Sequence, residues 1–67
     1  MIFEIENASP ITLGKEREDR WVWHLRSSDS ILCRSGIEYD SEDNARSDIA
    51  AFKRAMGSVR YAKVVTL

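Results

Sequence analysis

Arg20-Trp21-Val22-Trp23-His24-Leu25-Arg26 strictly alternates bulky apolar residues with residues suited to solvent, and its reading decides the fold. A period of two belongs to a pleated strand, whose successive side chains point to opposite faces. Trp21, Trp23 and Leu25 fall on one face and Val22, His24 and Arg26 on the other. Two tryptophans carry a large apolar area, so a helix is expected to pack on their face.

On the N-terminal side, Ile2-Phe3-Glu4-Ile5-Glu6 also alternates and predicts a first strand with Phe3 and Ile5 facing the core. Asn7-Ala8-Ser9-Pro10 ends it, because proline cannot donate to a ladder and Asn and Ser favour turns. Ile11-Thr12-Leu13 either extends the strand after a bulge or covers the core, and the charged run at 14–19 reads as a loop.

On the C-terminal side, Ser28-Asp29 is a short polar turn into a third strand at 30–35, closed by Gly36, which makes an antiparallel hairpin. Ile37 and Tyr39 belong to a connector expected to lie across one edge of the core. Asp40 or Ser41 is placed to cap a helix, with Asp43 three residues after Asp40 as an imperfect capping box. Ala45, Ile49, Phe52 and Met56 fall at i, i+4, i+7 and i+11, one stripe of that helix, and Gly57 is its expected stop. Residues 58–67 return to strand chemistry, with the buried face left open by Arg60 and Lys63. The predicted fold is α+β, an antiparallel sheet with one helix on a face in the order β-β-β-α-β, as a single domain over 1–67.

A chain of 67 residues buries only about 60% of its unfolded surface, so its core is marginal. A single cysteine, Cys33, excludes an intrachain disulfide and fits a reducing compartment. One Cys and one His cannot furnish a structural zinc site, so no metal and no cofactor are expected, and association with another chain is the remaining source of stability. No apolar run approaches membrane-spanning length, and an acidic residue arrives too early for a signal peptide; a cytoplasmic protein without membrane contact is the expectation.

Ten basic and eleven acidic residues nearly cancel, which argues against a surface tuned as a whole for nucleic acid or anionic lipid. Acids gather at Glu38, Asp40, Glu42 and Asp43 and cations at Lys53, Arg54, Arg60 and Lys63. Complementing the dipole of the helix accounts for both clusters. The four cations are nonetheless the best candidate for binding an anion or a partner, and they carry the alternative reading of a nucleic-acid-binding module. His24 and Cys33 are the one conceivable catalytic pair. The period-two pattern makes His24 a solvent-facing strand residue with no orienting carboxylate in view, and Cys33 a small buried hydrophobe. Trp21 and Trp23 read as core and not as a stacking platform for bases. No catalytic residue is assigned, no small-molecule ligand is indicated, and the expected class is non-enzymatic.

Taken together, the Trp21-to-Leu25 strand, Ile31-Leu32-Cys33-Arg34-Ser35-Gly36, Tyr39, and Ser41 opening a helix with Ala45, Ile49 and Phe52 resemble the YegP-like domain-of-unknown-function family over roughly residues 20–56. The resemblance implies a β-β-β-α-β unit that occurs as a tandem repeat or a homodimer with exchanged C-terminal strands. With one unit present, it implies a homodimer in which residues 59–67 cross to the partner. The chain departs from the family pattern at Ser28-Asp29-Ser30, at Asp48 and in the longer first loop, and the resemblance brings no activity with it.

Overall fold

The computed structural model of the chain describes residues 1–8 and 20–67. It is α+β, with β1 (Ile2–Asn7), β2 (Trp21–Ser27), β3 (Ser30–Arg34), α1 (Glu42–Ala55), a 3-10 turn at Gly57–Val59 and β4 (Lys63–Thr66). The sheet order is β3-β2-β1-β4. β1 pairs antiparallel with β2 and parallel with β4, and β2 pairs antiparallel with β3, so the sheet is mixed. The expectations for residues 9–19, including the placement of Ile11, Thr12 and Leu13, lie outside the described residues.

Alternation decides which side chains the helix covers. Phe3, Ile5, Trp23, Leu25, Ala45, Ile49 and Val59 are the buried apolar core, with Trp21, Cys33, Tyr39, Phe52, Ala62 and Val64 packed against it. The rings of Phe3, Trp23 and Phe52 meet edge to face with centroids 5.3–5.9 Å apart. Such contacts place the positive edge of one ring on the negative face of another. Trp21 fixes the connector through two backbone bonds to Tyr39, of 2.9 and 2.8 Å.

Ser41 caps the helix: its hydroxyl accepts the Asn44 N–H at 3.1 Å, satisfying one of the unpaired donors of the first turn. Asp40, the other candidate, lies outside. Ala45 and Ile49 are buried as the stripe requires, and Phe52 is half-buried. Met56 departs from the expected stripe. The helix stops at Ala55, and Met56 is its C-cap, out of helical geometry and exposed. Ile37 also departs from expectation, standing in solvent while Tyr39 alone covers the core edge.

The last segment is shorter in strand than its β-branched composition predicts. Residues 57–59 turn as a 3-10 helix that carries Val59 into the core, and only Lys63–Thr66 is extended. Its open question of facing is settled by register. Val64 lies beside Phe3 on the helix side, and Thr66 bonds there to Arg46 and Glu42 of the helix. Lys63 and Val65 therefore belong to the opposite face.

Candidate functional site

The face of the sheet away from α1 carries charge at its centre. Glu4, between Phe3 and Ile5, points away from the core yet is only 9% exposed. Its register partner across the ladder is His24, and Arg26 is diagonal to it. One carboxylate oxygen accepts from His24 Nε2 at 2.8 Å and from Arg26 Nε at 2.8 Å, and the other accepts from Arg26 Nη2 at 3.1 Å. The paired donors of the guanidinium suit a carboxylate. The Arg26 hydrogen bonds, followed by that of His24, hold the Glu4 carboxyl down at about 2, against an ordinary 4.5. An ionised Glu4 only accepts, so Nε2 is the protonated nitrogen of His24.

This corrects the expectation for His24. Its side chain is 14% exposed and has an orienting carboxylate beside it. Period-two reading places it on the outer face correctly but does not show which strand lies alongside. The available signal was Glu4 itself, a charge in the middle of an apolar strand.

The cluster has a consequence for acid stability. Because the folded Glu4 carboxyl ionises at about 2 and the unfolded one at about 4.5, its contribution is complete above the ordinary carboxylate range. It is lost progressively as the pH falls toward 2. Wild-type chain should therefore lose urea resistance between pH 5 and 3, whereas Glu4→Gln should be weaker at pH 7 and show a shallower decline. Denaturation midpoints across that range test this; parallel declines for the two proteins would refute it. The lowered carboxyls of Glu38, beside Arg20, and Glu42, beside Thr66 and Arg46, add an acid dependence common to both proteins.

A groove of about 340 Å³ opens on the same outer face, where the ends of β1 and β3 flank the start of β2. Val22 and Ile37 supply apolar lining, Glu6 and Arg34 the charge, and His24 a further polar side chain. Gly36, with φ of +75°, turns the chain after β3 in a conformation that disfavours other residues. Ser35 holds the turn: its N–H donates to Trp23 O and its hydroxyl to Ile37 O, both at 2.9 Å. The Arg20–Glu38 ion pair closes one end.

Behind the sheet, Asp48 of α1 accepts from Trp23 Nε1 at 3.2 Å and from the Tyr39 hydroxyl. It thus gives the buried indole and the connector ring their polar partner. Cys33 is half-buried against the core beside Leu25, less enclosed than the expected buried hydrophobe, and therefore on the face away from His24.

Of the candidate cations, Lys53, Arg54 and Arg60 come together around Gly57 and Ala50, lining a hollow of about 420 Å³. Lys53 Nζ donates to Ala62 O at 2.8 Å, and Arg60 lies over the Tyr61 ring, 4.8 Å from its centroid. Lys63 does not line this hollow; it begins β4, opposite Ile2. Among the described residues no group of three or more His, Cys, Asp or Glu side chains is placed to hold a metal, and no helix is long and apolar enough to cross a membrane. No protein-family model matches this chain, and no curated protein or solved structure does so either.

Proposed function

We propose that the chain is a non-enzymatic interaction module that works as a homodimer. The observation that carries this reading is the β3 edge of the sheet. That edge strand and the turn beyond it leave Ile31, Leu32 and Ile37 at 43, 55 and 61% exposure, beside a core built of few side chains. An apolar edge strand is a template for pairing with another strand, and a second copy aligned by a twofold axis supplies the same surface in return. The commitment of Glu4 as an anion held by Arg26 and hydrogen-bonded to His24 supports a structural use of the outer cluster in place of acid–base chemistry.

Exchange of the C-terminal strand, which the resemblance implies, is the other route to the same assembly. A partner's residues 63–66 in the register now held by β4 would leave β1 and the helix unchanged.

Sedimentation over a wide range of protein concentration tests the reading, and Leu32→Lys separates the routes. A charge on the exposed edge strand blocks edge pairing without entering the core. Wild type should be dimeric; Leu32→Lys should be monomeric if the edge is the interface and dimeric if β4 is exchanged. A wild type that stays monomeric at every concentration overturns the proposal. Salt-sensitive binding of a labelled oligonucleotide by such a monomer, lost in the Arg54→Ala and Arg60→Ala variants, would favour nucleic-acid binding through the acid-free hollow beside Gly57.

A further inference from the structure

The groove on the outer face has opposite charges on its two sides, and neither charge has a hydrogen bond or ion pair among the described residues: Glu6 on β1 and Arg34 at the end of β3. Between them lies β2, with Val22 opposite Glu6 and His24 opposite Arg34 in register. Two strand spacings and a two-residue offset separate the Glu6 and Arg34 backbones by about 12 Å, and both long side chains lean from the same face. Val22 and Ile37 give the floor and wall an apolar character. The volume, about 340 Å³, is that of a small-ligand site.

We propose that this groove binds a short zwitterionic peptide, its terminal carboxylate at Arg34 and its terminal ammonium at Glu6. Charge complementarity sets the direction. The guanidinium pairs with a carboxylate through two parallel bonds, and His24, fixed through Nε2 by Glu4, lies opposite Arg34 at that end. Length sets the class of ligand. An extended chain advances about 3.3–3.6 Å per residue, so three residues bridge the two charges with modest side-chain adjustment. A free amino acid, with its charges two bonds apart, reaches only one of them. The site shares Ile37 and the end of β3 with the edge proposed above as an interface, while its charged contacts lie on the outer face of the sheet.

The test is titration of the ¹⁵N-labelled chain at low salt with trialanine bearing free termini, followed by amide shifts. Saturable changes confined to Val22, His24, Arg34, Gly36 and Ile37 are expected. Blocking either terminus, as N-acetyl-trialanine or as trialanine amide, should weaken binding about tenfold or more, the loss of one charge-assisted contact. Arg34→Ala should have the same effect, and should no longer distinguish the free carboxylate from the amide. Glu6→Gln should lose the preference for the free ammonium. Both residues are exposed, so unchanged thermal midpoints will show that the variants fold. The proposal is overturned if trialanine causes no saturable shift, if the doubly blocked peptide or alanine alone binds equally well, or if the shifts map elsewhere.

Discussion

Replacing Phe3 by alanine is expected to leave the chain largely unfolded at 25 °C in dilute buffer. Phe3 has no exposed surface, sits on a central strand with β2 on one side and β4 on the other, and its ring abuts both Trp23 and Phe52. Truncating a buried phenylalanine removes its transfer free energy and leaves a cavity, at a cost of about 3–5 kcal/mol. At about 0.05–0.15 kcal/mol per residue, a chain of 67 residues has a total of about 3–10 kcal/mol, and its small core puts it toward the low end, where the loss consumes most of it. Urea titrations followed by tryptophan fluorescence should show a folded baseline shortened or absent in the variant. Met56→Ala, at the exposed helix end, should shift stability by no more than about 0.5 kcal/mol. Equal effects at the two positions would contradict the placement of the core.

The contrast between these residues shows what the sequence makes legible. Phe3, Trp23, Leu25 and Ile49 are identified by periodicity alone, because burial on one face of a regular element repeats along the chain. Met56 satisfies the same helical spacing and fails, since spacing does not reveal that the backbone leaves helical geometry one residue before Gly57. Residues 57–62 show the complementary limit. Their β-branched and aromatic content predicts strand, but the tertiary demand to deliver Val59 to the core is met by a tight turn. Local preference yields to packing there.

The outer face was less legible than the core. His24 and Arg26 are assigned to it correctly by alternation, but their partner Glu4 lies twenty and twenty-two residues earlier and meets them only through the β1–β2 register. The groove depends in the same way on Glu6 and Arg34, which flank β2 from strands far apart in sequence. The cationic residues illustrate the reverse case. Lys53, Arg54 and Arg60 are close in sequence and do meet, whereas Lys63 is equally close and begins β4 outside the hollow. One strand residue more or less reverses the side on which a charge stands.

Removing residues 59–67 should abolish cooperative folding. The segment supplies Val59 to the core and the whole of β4 to the sheet. It also supplies Thr66 to Glu42 and Arg46, and the Ala62 carbonyl to Lys53. Without β4, β1 becomes an edge strand, and the backbone groups of Ile2–Ile5 that face it lose their partners while Phe3 and Ile5 lose cover. An antiparallel hairpin and one amphipathic helix remain around β1, too little buried surface to offset the chain entropy of ordering them. The truncated chain should give a broad, non-cooperative thermal profile by circular dichroism; a sharp transition would mean that β4 is dispensable. Adding the nine-residue peptide 59–67 in trans should restore a sharp transition that rises with peptide concentration, as expected when a ligand binds only the folded state. That restoration is the physical requirement for strand exchange: β1 must accept a last strand from another molecule in the register that it gives its own.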